Sequence, residues 1–577
     1  MNYFFWIIIN NTTKKPKLNG FFTSKITNDF IKTYLPEEIA NKISVTGDIS
    51  LSSKVTTNDN NIIIEPKLIL NPEADLTSGG INVGDVNERR EFTGKINFLK
   101  DKIQINDFKY IKYVSSQNNK TYPITFADAN GVVNIKDGQY IPVSFKLKTN
   151  KNLPARILNV LLKSPILTQG TFNCDIEYKF DEIKKIAQII GNMDCKNLDI
   201  PIFDTLIKNV KLNANKDNID IKLFGFLNDS KINVDSIIKN NLAKKPQVDS
   251  INIYIDQIDR NKLFETFSNT HSAMNTNNKI KNIDLGGLSV SNGHLEVKEL
   301  IVKSLVAKNF ISDFCVDEKG LFTANNMTID VGQGNLQGNM SYNLVDTTLI
   351  GDFELNNVDA NYVAETLFDG KNQIYGNANG KLYLSTKGST DVEMIKNLSG
   401  YINFNVLDGK MPKLGSLEYL LKASNIIKGG ITSFTLNNVL ELLNLVKTGY
   451  FSNINGSCNI ENGIAKDIEI FSKGENMSLY IHGNYDITQT HAEFEILGKL
   501  SKRISTIFGK LGNTSLNTFF RMIPGVSLFN SGRKDFVKDI EKIPSFTTGD
   551  YESRVFQAII DGNINESGYV QSFKWVE

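Results

Sequence analysis

Apolar and polar residues alternate with period two over most of the chain. From Ile43 to Val55 the odd positions are Ile43, Val45, Gly47, Ile49, Leu51, Ser53 and Val55, with polar residues between them. Ile141, Val143, Phe145 and Leu147 alternate with Pro142, Ser144, Lys146 and Lys148. Phe172, Cys174, Ile176 and Tyr178 continue the pattern, and Ile219, Ile221 and Leu223 alternate with Asp220 and Lys222. Later runs are Leu349-x-Gly351-x-Phe353-x-Leu355, Ile402-x-Phe404-x-Val406, Met477-x-Leu479-x-Ile481 and Ala492-x-Phe494-x-Ile496. Successive strand side chains point to opposite faces, so each run predicts a strand with one apolar and one wet face. Continuous apolar runs, the mark of parallel strands buried on both sides, are rare, which predicts an antiparallel sheet.

Asn130-Gly131, Asp137-Gly138, Asn292-Gly293, Asn379-Gly380, Asp408-Gly409, Asn455-Gly456, Asn462-Gly463 and Asp561-Gly562 are read as hairpin turns, because these pairs supply positive φ cheaply. Helical spacing predicts short helices over 181–193, 359–368, 417–424 and 437–446. A further helix is expected over 499–511. Its apolar stripe of Leu500, Ile504, Ile507, Phe508 and Leu511 packs on the end of a sheet or lies at a lipid interface. So few helices cannot cover so many one-sided strands. Two solutions remain from pattern alone: a row of β-sandwiches, or a mainly β, elongated antiparallel sheet curled around an apolar groove.

Composition narrows the function. Lys+Arg is 64 and Asp+Glu 63, a net charge of +1, which argues against a nucleic-acid partner. Cys174, Cys195, Cys315 and Cys458 are too far apart for a metal-binding pair or a disulfide framework. His271, His294, His482 and His491 form no metal-ligand signature. The apolar stretch Tyr3–Ile9 is too short to span a bilayer, which takes about 20 residues. It is read as an apolar strand or tail, or as the remnant of an anchor. The glycines of Gly332-Gln333-Gly334-Asn335-Leu336-Gln337-Gly338 do not fit a dinucleotide loop and read as turns. No hydrolase elbow, zinc-protease helix, Walker loop or EF-hand loop occurs. The expectation is a non-enzyme without cofactor or metal.

The stretch from Gly286 to Ile487 resembles the C-terminal region of the AsmA-like envelope proteins, the group that includes AsmA, TamB and YhdP. The runs GGLSVSNGHLEVKELIV, NNMTIDVGQGNLQGNMSYNL and GDFELNNVDANYVAETLF carry the likeness, with the strongest stretch from Leu398 to Ile426 and a further one from Phe451 to Ile487. Upstream, YLPEEI at Tyr34–Ile39 looks like the part of YhdP-like proteins that precedes this region. The resemblance implies a periplasm-facing protein of a Gram-negative envelope, tethered to the inner membrane by an N-terminal helix that this chain lacks. It also implies a β-groove passing phospholipid towards the outer membrane, with unidentified envelope proteins as partners. It brings no catalytic residues.

The expected organisation is an apolar tail over 1–20, a β-rich groove region over 21–285, an AsmA-like β region over 286–498, and a helical segment with terminal strands over 499–577. The candidate groove lining is Ile43, Val45, Ile49, Leu51, Ile141, Val143, Phe145, Leu147, Ile219, Ile221, Leu223, Phe353, Leu355, Ile402, Phe404, Val406, Leu479, Ile481, Phe494 and Ile496. Two functions follow: shielding of lipid acyl chains, or a structural β-repeat whose apolar faces pack on one another.

Overall fold

The computed structural model describes residues 4–576, apart from connections of eight residues or fewer and the segments 263–286, 411–449 and 502–537. Two compact units divide the chain. One holds Met1–Asp256 with Lys262–Met274 and Leu288–Gly293; the other holds Gln257–Asn261, Asn275–Gly287 and His294–Glu577. Each is built on a curled, unclosed antiparallel sheet. About 74% of the described structure is strand.

The N-terminal unit carries β1 (Phe4–Asn10), β2 (Lys17–Lys25), β3 (Ile43–Thr46), β4 (Ile49–Asn58), β5 (Asn61–Leu70) and β6 (Asp75–Ser78). Next come β7 (Ile81–Asn82), β8 (Arg90–Phe98), β9 (Lys102–Ser115), β10 (Thr121–Lys136), β11 (Gln139–Thr149) and β12 (Leu153–Pro154). It ends with β13 (Gln169–Asp181), β14 (Ile186–Ile200), β15 (Thr205–Ala214), β16 (Asn218–Leu227), β17 (Ser230–Lys239) and β18 (Gln247–Asp259). Pairing runs in chain order from β1 to β18. The exceptions are β3, β6 and β7, which form a separate small sheet, and β12, which pairs only the start of β13. Sequential antiparallel pairing sends successive connections to alternate ends of the strands. The three long ones (26–48, 71–89 and 150–168) all leave from one end, while the other end carries short turns such as 99–101 and 137–138.

The C-terminal unit carries β19 (Ser289–Val302) from His294 on, β20 (Leu305–Val316), β21 (Leu321–Val331), β22 (Gly334–Asn343), β23 (Thr348–Asp359), β24 (Tyr375–Lys387) and β25 (Ser399–Lys410). It continues with β26 (Tyr450–Glu461), β27 (Ile464–Gly474), β28 (Met477–Asp486), β29 (His491–Ser501), β30 (Ser553–Asn563) and β31 (Val570–Trp575), paired in chain order from β20.

Helices sit on the connections. α1 (Asn28–Tyr34) packs Ile31 with Val45, Ile49, Leu70 and Ala74. α2 (Ala360–Phe368) lies over Ala307, Ile329, Val331 and Val358. Its Tyr362 hydroxyl donates to the Val306 carbonyl at 2.9 Å and accepts from the Val306 N–H at 3.1 Å. α3 (Asp391–Lys396) begins at Thr390, whose side chain accepts from the Glu393 N–H, an N-cap. It puts Ile395 into the core of β26–β30.

The curl has a recurring local device. At several strand interiors an Asp or Asn takes positive φ at a register shift, and a side-chain amide on the neighbouring strand accepts its N–H. Asp107 (φ 51) gives its N–H to Asn130, Asn326 (φ 53) to Asn339, Asn357 (φ 53) to Asn379 and Asp467 (φ 50) to Asn484. The register shifts coincide. Such bulges bend a strand and increase its twist.

Several sequence readings are corrected. The helix expected over 181–193 is a turn followed by β14. Asp181 Oδ1 accepts from the N–H groups of Ile183 and Lys184, both at 3.0 Å, and Ile183, placed on the apolar face by helical spacing, is 95% exposed. Of the eight glycine pairs read as turns, only Asp137-Gly138 and Asn462-Gly463 join strands; the other six lie within strands. The run Ile43–Val55 breaks at Gly47 (φ 75), with β3 and β4 in different sheets. Lys499, Leu500 and Ser501 finish β29 where a helix was expected. The rest of 499–511, and the expected helices over 417–424 and 437–446, lie outside the described residues. The helix over 359–368 is α2. Within the segment 1–20 read as a tail, β1 pairs with β2.

Candidate functional site: the apolar face

Residues directly opposite across paired strands share a face, so register alone shows which side chains the fold brings together. In the N-terminal unit one row runs Ala129, Leu147, Ile176, Gly191, Ala214, Ile219, Ile238. Beside it run Phe172, Cys195, Val210, Leu223, Val234, Ile253 and Cys174, Met193, Leu212, Ile221, Ser236, Ile251. In the C-terminal unit a row runs Leu336, Leu355, Gly380, Phe404, Gly456, Ile470, Ile481, Ile496, Ala558. Phe353, Leu382, Ile402, Cys458 flank it on one side, and Ala378, Val406, Ile454, Ser472, Leu479, Gly498, Phe556 on the other.

The in-strand glycines belong to this face. A Cβ at Gly456 would lie 2.3 Å from the Phe404 ring, one at Gly498 2.2 Å from Phe556, and one at Gly338 2.6 Å from Phe353. Each ring therefore lies across the neighbouring strand, where any larger residue would displace it.

The candidate lining residues take different places. Phe145, Leu147, Ile219, Ile221, Leu223, Phe353, Leu355, Ile402, Phe404 and Val406 stand in or beside these rows. Val143 sits at a bulge, since Ser144 pairs Val132 and Pro142 pairs Val133. That bulge turns Ile141 to the face opposite Phe145, so strict alternation fails there. Phe145 is 42% exposed. Leu479, Ile481, Phe494 and Ile496 join the rows but are packed in a closed core with Phe556 and Ile560. Val45 and Ile49 pack under α1, with Leu51 at the edge of that cluster, and Ile43 lies on β3 of the small sheet. Sequence reading missed Leu382, Ile470, Met193 and Leu212. Met193 was hidden by the helix reading; parity carried across each hairpin would have found the others.

Part of the face is covered. Leu153, Ala155 and Leu167, from the connection between β11 and β13, pack on Phe172, Cys174, Cys195 and Leu198. The Asn159 side chain pins this cover by donating to the Leu167 carbonyl at 2.8 Å and accepting its N–H at 2.9 Å. Burial pushes the thiols of Cys174, Cys195 and Cys458 up to about 11, so they are unreactive near neutral pH.

The opposite face carries polar groups, and at β27–β30 also a second apolar cluster in which Phe471, Tyr480, Leu497 and Val555 pack with Ile543. His294 on β19 meets Asp313 on β20 at 2.8 Å and Glu296 at 3.1 Å, and the Asp313 hydrogen bond, followed by that of Glu296, raises its pKa. His482 pairs with Glu495 at 2.8 Å. The ligand atoms of His491, Glu493 and Asp561 lie within 4.8 Å of one another, on a half-exposed to exposed surface. That set has the donor chemistry to hold a metal ion, although exposed acidic groups commonly gather without one. Among the described residues, no helix is long and apolar enough to cross a membrane.

The fold defines an antiparallel β-protein with continuous apolar rows along one face of its strands. Comparison with known proteins adds no relative: no family model matches the chain, and no curated protein matches it.

Proposed function

We propose that the chain is a non-enzymatic envelope protein of the AsmA-like kind that shields lipid acyl chains along its apolar face. In this reading it contributes to phospholipid passage between inner and outer membranes, working on the periplasmic side with other envelope proteins. The observation that carries the reading is the continuity of the apolar rows across β10–β18 and β22–β26, of which the described residues cover only part. Exposing acyl chain to water costs about 0.8 kcal/mol per CH₂, roughly 13 kcal/mol for a 16-carbon tail. A trough of Ile, Leu, Val and Phe offsets most of that cost without directional hydrogen bonds. The packed core of β27–β30, which reaches Ile402 on β25 and Cys458 on β26, favours a second, structural reading for that stretch, where the rows are already filled by protein.

The test is a photo-crosslinking residue placed singly at Ile402, Phe404, Phe145 and Leu147, and at Asn403, Asn405 and Lys146. Phospholipid adducts, read by mass spectrometry, are expected at the first set only. Folded variants that give no lipid adduct at any apolar position would overturn the proposal and leave the structural reading.

A further inference from the structure

The polar face of the N-terminal unit holds a depression of about 710 Å³ across β13–β15. Its lining includes Lys196, Lys208 and Lys211, one carboxylate (Asp194) and asparagines on all three strands, among them Asn192 and Asn209. Three cations thus face one acid. Among the described residues these lysines make no ion pair, whereas Asp175, just beyond on β13, is already met by Lys146 at 3.9 Å and Lys148 at 3.7 Å. In register Lys211 stands between Asp194 of β14 and Lys222 of β16, and Lys222 in turn stands opposite Asp235 of β17, so the surplus of positive charge in the depression comes from Lys196 and Lys208.

We propose that this depression binds a small phosphate ester carrying hydroxyl groups, such as the glycerol phosphate group. The lysines supply point charges for the phosphate. The asparagine amides both donate and accept, which suits hydroxyls. Among the described residues no aromatic side chain lines it, so these residues offer a nucleic-acid base nothing to stack on. The source is either a soluble ester or a membrane headgroup. The site lies on the face opposite the apolar rows and is independent of acyl binding there.

The experiment uses the full chain in two arms: equilibrium dialysis with glycerol 3-phosphate, and co-sedimentation with phosphatidylcholine vesicles with and without phosphatidylglycerol. Saturable binding is expected in at least one arm, weakened roughly tenfold or more by Lys196→Gln/Lys208→Gln/Lys211→Gln. Equal charge removal at Lys54, Lys244 and Lys245 should leave it unchanged. Binding in the first arm identifies a soluble ester, and binding in the second alone a headgroup. If the triple variant loses its melting transition, single changes at the three lysines are read the same way. Absence of saturable binding in both arms, binding that survives the lysine changes, or equal loss in the control variant would overturn the proposal.

Discussion

A glycine inside a β-strand ordinarily weakens it, having no side chain to pack. Here several such glycines make room for phenylalanine rings. Phe404 lies between Gly380 and Gly456 in register, with ring atoms 2.3 Å from where a Gly456 Cβ would be. Gly456→Ala should therefore lower stability by about 1–3 kcal/mol, the usual cost of overpacking. Adding Phe404→Leu should recover part of it, a coupling measurable as a double-mutant cycle in thermal unfolding; strictly additive losses would refute the contact. His294 gives a pH-dependent effect. Its folded pKa is raised, chiefly by Asp313, so its stabilising contribution is complete below the ordinary His value of about 6.5 and fades as pH rises through the raised value. The melting temperature of the natural chain should exceed that of His294→Gln by more at about pH 5.5 than at about pH 9. An equal gap at both would discount the pairing.

At the level of elements, the small helices fix the sheet at its strand ends. Tyr362 of α2 satisfies both backbone groups of Val306 on β20. Tyr362→Phe keeps the ring and removes both bonds, so a loss of about 1–3 kcal/mol is expected in denaturant titration. A change within a few tenths would mean that water replaces the hydroxyl. Strands were largely legible in the sequence because period two survives in any one-sided sheet. What was not legible has local causes. The bulge at Val143 inverts Ile141 without altering the alternation, since one extra residue leaves no compositional trace. The 181–193 segment has helical spacing, yet Asp181 closes a turn and Ala187 and Ile189 face Phe180 and Tyr178. Asn-Gly and Asp-Gly pairs predict positive φ, and the chain uses most of them in strand interiors. The candidate lining was legible as a parity, but the cover formed by Leu153, Ala155 and Leu167 depends on contacts distant in sequence.

For the whole molecule, each unit presents its own apolar rows. Strands lie about 4.8 Å apart, so the five strands β22–β26 span roughly 19 Å and the seven strands β11 and β13–β18 roughly 29 Å. The shorter span is comparable to an extended 16-carbon chain and the longer one exceeds it. Under the proposed function each unit accommodates lipid by itself, and native mass spectrometry should detect two or more phospholipids per chain. A ceiling of one would refute independent loading.

Sequential pairing also governs how such a chain is made. Within the main sheet of the N-terminal unit each strand pairs with the strand of that sheet synthesised before it, so loop-closure entropy stays small and the sheet can lengthen strand by strand as it emerges. At every stage the newest strand is an open edge with unpaired N–H and C=O groups. In the N-terminal unit that condition recurs through fourteen strands, from β1 to β18. Two nascent copies side by side could pair at any of those edges. Local pairing thus favours quick folding, while the open edge leaves the chain exposed to mispairing throughout synthesis.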